Sequence, residues 1–155
     1  MFGQPSLFRL CRAVTLAAVV TALGAGALPS GEPTVEELKA RLSSTSIGDR
    51  PHICLQVAQQ QLAAAGKFYA SDEVEKAQAP LTDVVAYAEL ARDYSVQSHK
   101  HEKQTEIAVR GMIRRLTEIL HSLGHDDQAA VQDAISRLQH VRDDLLAAMF
   151  PKGAK

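Results

Sequence analysis

Tryptophan is missing from this 155-residue chain, cysteine occurs twice, and three tyrosines and four phenylalanines are all its aromatic residues. Rings this few, Phe68, Tyr69, Tyr87 and Tyr94 among them, are too spread to make a stacking platform for bases. Charge of one sign is also not in excess. Seventeen basic residues stand against eighteen acidic ones, a formal net charge of −1, which argues against nucleic acid or anionic lipid as the general partner. The longest apolar run, Ala13 to Ala27, has 15 residues, short of the ~20 that a spanning helix needs. No GxSxG, P-loop, CxxC, CxxCH or HExxH is present. No cofactor is therefore expected, and an enzyme is the least expected of the function classes.

The N-terminus does carry a pattern. Arg9 and Arg12 precede the Ala13–Ala27 run, which ends in Ala25-Gly26-Ala27, the small-x-small arrangement that signal peptidase accepts. The reading is a signal peptide over residues 1–27, with export to the periplasm or the extracellular space and no stable membrane insertion after cleavage. Cleavage takes 27 residues from 155 and leaves 128. It removes two Arg and no acid, so the formal charge moves from −1 to −3. Cys11 leaves too, Cys54 remains as a lone thiol, and no intramolecular disulfide can form. Stability then rests on packed apolar surface.

The rest reads as helix. Residues 28–48 form a flexible start with one short helix, in which Thr34 and Glu37 make a capping box. That helix has only Val35, Leu38 and Leu42 to bury, so weak attachment is expected. Residues 49–150 form a helical hairpin domain. Asp49 is the expected N-cap of the next helix, with Pro51 in its first turn. Ile53, Val57, Ala64 and Phe68 then mark an Ala-rich apolar face. Ser71-Asp72 is the expected turn, with Asp72 and Glu75 as a second capping pair. From there a seam runs on seven-residue steps from Leu81, Val84 and Ala88 to Met112, Leu116 and Ile119. Its middle, Ser95 to Glu106, keeps the register without the apolar residues. The pattern predicts one long helix over 72–123 with a solvated waist. The alternative is a loop near Ser98–Lys100 that folds the segment in two. Gly124 stops the segment, Asp126 or Asp127 caps a last helix, and Pro151 ends it. The fold class is all-α. Antiparallel helical hairpins are joined by one long central helix or, with the loop, closed into a four-helix bundle.

The first hairpin, about residues 53–86, resembles a single tetratricopeptide repeat. Ala65, Phe68, Ala77, Leu81 and Val84 fall at similar spacings around the Ser71-Asp72 turn. It departs from that pattern in having no proline after the second helix, and no second copy follows. The resemblance implies a hairpin shape. The peptide-binding face of such arrays is built from several repeats.

Two groups of residues are candidates for function. His99, His101, His121 and His125 are candidate metal ligands, the last two standing four apart, although Gly124 lies between them. Lys100, Lys103, Arg110, Arg114 and Arg115 form a basic stripe, while Asp126, Asp127, Asp133, Asp143 and Asp144 follow on the last helix. Intramolecular ion pairing between the two sets is one reading. The other is that Tyr94, Ser98, Glu102, Lys103, Arg110 and Arg114 meet a partner. The sequence thus favours a non-catalytic interaction or self-association module of a bacterial envelope, with a protein partner or a second copy. A periplasmic metal-binding protein is the alternative.

Overall fold

The computed structural model describes residues 31–151, and within them every regular element is helical. The proposed signal peptide, residues 1–27, lies outside the described residues. Five α-helices follow one another: α1 (Val35–Ser44), α2 (Arg50–Ala70), α3 (Val74–Ser98), α4 (Glu102–Ser122) and α5 (Gln128–Met149), with a 3-10 turn at His125–Asp127. No helix among the described residues is long and apolar enough to cross a membrane.

Helix α1 starts where the capping box places it. The Thr34 backbone N–H donates to Glu37 Oε2 at 2.9 Å, and the Glu37 N–H donates to Thr34 Oγ1 at 3.3 Å. The helix is nonetheless well anchored, because its few apolar residues are well placed. Leu38 is fully buried against Ile53 and Val57 of α2. Lys39 reaches Asp83 of α3 at 3.1 Å and lies 5.5 Å from the centre of the Tyr87 ring. The hydrogen bond it donates to the Asp83 carboxylate holds the Lys39 ammonium above its usual pKa. Upstream, Gln60 Nε2 donates to the Pro33 carbonyl at 2.8 Å.

Helix α2 stops at a left-handed residue. Asp72 has φ 60°, and Glu73 N–H donates to the Phe68 carbonyl at 2.9 Å, which together close the helix end. Asp72 is therefore part of the stop and not the start of the next helix. The residue before α3 is Glu73, without a side-chain cap, so the expected Asp72–Glu75 pair does not form. Pro80 sits inside α3, which continues through it.

Between α3 and α4 the chain takes the loop. Helix α3 ends at Ser98 and α4 begins at Glu102, with His99 and His101 both left-handed, at φ 53° and 64°. The long helix expected over 72–123 is thus two helices, and the expected polar waist becomes the turn between them, exposed at Gln97, His99–His101, Lys103 and Gln104 but buried at Ser95, Thr105 and Glu106. Ser95 and Thr105 are fully buried with their hydroxyl oxygens 2.8 Å apart. A continuous helix would hold these residues ~15 Å apart along its axis.

This reversal closes a four-helix bundle. Helix α2 packs on α3, α3 on α5, α5 on α4, and α4 on α2, with α1 laid over α2. The main core draws Ala58, Ala65, Val84 and Ala88 from the first pair and Val109, Leu116, Leu138 and Leu145 from the second. Small residues on α2 and α3 let those two helices approach closely, whereas α4 and α5 meet through larger side chains. Cys54 lies in this core, and burial pushes its thiol up to about 12.

Candidate functional site

The reversal at residues 99–101 shapes one end of the bundle. Two left-handed non-glycine residues within three positions cost ~1–2 kcal/mol each, and surrounding contacts hold them there. Lys100 N–H donates to the Ser95 carbonyl at 3.2 Å, and Thr105 N–H donates to the His101 carbonyl at 2.8 Å. The Lys100 side chain lies over Gly48, where a Cβ would stand 3.0 Å from its Cδ. Arg50 reaches across with its guanidinium 5.2 Å from the centre of the Tyr94 ring, while its Nε donates to the Thr45 carbonyl at 3.0 Å. The α1–α2 and α3–α4 connections are therefore docked on each other.

Beside this junction lies a cleft of about 470 Å³. Arg41 and Thr45 come from the end of α1, Asp49 and His52 from the start of α2, and His101 and Gln104 from the start of α4. Ile53 and Leu55, both largely buried, supply its apolar part. Asp49 precedes α2 as expected but does not cap it, and its carboxylate accepts a hydrogen bond from Ser46 Oγ at 2.6 Å instead. His101 precedes α4, also without a side-chain cap. Of these residues the sequence reading singled out His101, and for another chemistry. Arg41, His52 and Gln104 lie about 50 positions apart in two groups, and no local pattern joins them.

The second feature is the outer face of α4. Lys103, Arg110 and Arg114 are exposed along it, and Ile107, 48% exposed, stands among them. The expected pairing of this stripe with the acids of α5 does not occur. Among the described residues Lys103 and Arg114 form no salt bridge, Arg115 pairs with Glu118 on its own helix at 3.0 Å, and Arg110 approaches Glu106 at 3.6 Å. The α4–α5 ion pair has the opposite polarity, with Arg142 of α5 donating to Glu106 of α4 at 2.9 Å. Glu106 is 6% exposed, so its charge needs both arginines. The physical reason is rotation about the α5 axis. Asp144 reaches Arg92 of α3 at 2.8 Å, and Asp133 lies with Gln78 and Thr82 of α3, so these acids face α3 and not α4.

The candidate partner residues thus divide. Lys103, Arg110 and Arg114 share the free face. Tyr94 is half-buried beneath Arg50, Ser98 donates to the Tyr94 carbonyl at 2.7 Å, and the Glu102 carboxylate is 3.8 Å from His99 Nδ1. These last three belong to the internal junction.

The four histidines do not come together. His99 and His101 lie at the start of α4, and His121 and His125 at its other end, about 30 Å away for a helix of this length. Among the described residues no group of three or more His, Cys, Asp or Glu could hold a metal ion.

Comparison with protein-family models, with curated proteins and with solved structures finds no match to this chain.

Proposed function

We propose that the chain is a non-catalytic helical interaction module, exported to a bacterial envelope, whose α4 face binds an acidic protein surface. One observation carries the reading: Ile107 is half exposed among Lys103, Arg110 and Arg114, and two of those three cations have no carboxylate partner among the described residues. An apolar anchor ringed by unneutralised charge is the makeup of a polar-rimmed interface. The cations steer an acidic partner and set register, and covering the exposed half of Ile107 contributes about 1 kcal/mol. The export part rests on Arg9, Arg12 and the Ala13–Ala27 run.

A photo-crosslinking residue at position 107, with a control at Gln139 on α5, tests the interface in the cell. The expected result is one adduct at 107, its attached segment rich in Asp and Glu, that disappears with Arg110→Glu/Arg114→Glu and is absent at 139. Equal adducts at both positions, or none at 107, would overturn the reading. Capture of a second copy of this chain would replace it with self-association. Mass spectrometry of the exported chain is expected to find Leu28 as the first residue, and an intact Met1 there would refute cleavage.

A further inference from the structure

We infer that the cleft between α1, α2 and α4 binds a small monocarboxylate with an apolar body. This site is separate from the α4 face and does not depend on it. Its volume, about 470 Å³, lies within the ~300–1,000 Å³ range of small-molecule sites. Its lining combines one guanidinium, two imidazoles and an amide with the apolar surface of Ile53 and Leu55.

Arg41 is the anchor. It projects from the last turns of α1, is exposed, and forms no salt bridge among the described residues. Its planar fork suits the two oxygens of a carboxylate. His101 and Gln104 face it from the start of α4, where no side chain caps the first-turn N–H groups, so the positive end of that helix adds to the same field. Further positive charge comes from Lys100, lying over Gly48, and from Arg50, bonded to the carbonyl of the lining residue Thr45. The Thr45 hydroxyl is already committed to the Arg41 carbonyl at 2.8 Å, and His52 Nε2 lies 3.2 Å from the Gln56 amide nitrogen.

Asp49 sets the limit on charge. Its carboxylate lines the cleft and bonds to Ser46, so a dianion would meet repulsion that a single carboxylate pointed at Arg41 avoids. The edges of Ile53 and Leu55 that remain open to the cleft, 5% and 8% of each residue, form its apolar floor, against which the body of the ligand lies. Inorganic phosphate has no apolar body and is in large part a dianion at neutral pH.

The test is titration of the full exported chain with sodium phenylacetate, phenylacetamide and inorganic phosphate, read by calorimetry and by amide chemical shifts. Phenylacetate is expected to bind, shifting the amides of Arg41, His52 and His101, with the neutral amide and phosphate at least about ten-fold weaker. Arg41→Ala should weaken phenylacetate by about ten-fold or more and Arg41→Lys by less, since an ammonium lacks the fork. Arg114→Glu, on the α4 face, should leave it unchanged, so failure of that face and failure of the cleft are separable. Both positions are exposed, and circular dichroism verifies that each variant keeps its helix content. Absence of phenylacetate binding up to roughly 10 mM, equal binding of the amide, tighter binding of phosphate, or indifference to Arg41→Ala would each overturn the inference.

Discussion

Replacing Thr105 with Val keeps the side-chain shape and removes one hydroxyl from the interior of the α3–α4 reversal. Thr105 and Ser95 are both fully buried, with their oxygens 2.8 Å apart. A neutral hydrogen bond contributes about 1 kcal/mol net, and stranding a buried partner costs about 1–3 kcal/mol. Thr105→Val and Ser95→Ala are each expected to destabilise by about 1.5 kcal/mol, because each leaves the other hydroxyl unpaired. The double substitution removes both polar groups and should cost about 1 kcal/mol less than the sum of the singles. For a domain of this size, 1 kcal/mol corresponds to about 4 °C in Tm. Urea and thermal unfolding of the four proteins, followed by helix signal, give the coupling directly. Were the segment one continuous helix, the two residues would be ~15 Å apart and their effects would add. Additivity within about 0.3 kcal/mol would therefore refute the reversal.

Three other outcomes are expected. Leu116→Ala empties a fully buried position on α4 and should cost about 3 kcal/mol in chemical unfolding, whereas under 1 kcal/mol would place that residue outside the core. Burial pushes the Cys54 thiol up to about 12 from its ordinary 9.0. The native chain should therefore resist alkylation at pH 8 and react once unfolded. The unfolded thiol ionises first, so this contribution to stability is complete below pH 9 and is lost as pH rises toward 12; a stability independent of pH there, once other titrations are matched with Cys54→Ala, would contradict the assignment. His101→Gly should gain up to about 1 kcal/mol by relieving the backbone at φ 64°, while phenylacetate affinity falls.

Local patterns were legible where a bond closes within one turn of chain. The Thr34–Glu37 box forms as read, and the apolar steps through Ile53, Val57, Leu116 and Leu138 all turn inward. Where two local choices compete for one residue, the reading failed. Asp72 can cap α3 or end α2, and the left-handed stop after Tyr69 takes it. The α3–α4 reversal carries no glycine or proline, the usual punctuation, and its two left-handed positions are histidines. What fixes it is tertiary: the Ser95–Thr105 bond and Lys100 over Gly48 join residues that no helical period relates. The same closure explains the rest of the site. Arg41 and His52 meet His101 and Gln104 only because α4 turns back along α2, whereas the Lys103, Arg110 and Arg114 face follows from helical spacing alone.

The bundle and its cleft depend on α4 running back beside α3, and a single distance reports it. Spin labels at Gln78 of α3 and Glu118 of α4, both exposed, can be introduced as cysteines in a chain whose Cys11 and Cys54 are alanine. Two helices packed side by side place these labels within about 30 Å of each other, and that is the expected distance distribution by double electron–electron resonance. A distribution centred near 60 Å, the length of forty residues of uninterrupted helix, would contradict the closed bundle and remove the cleft.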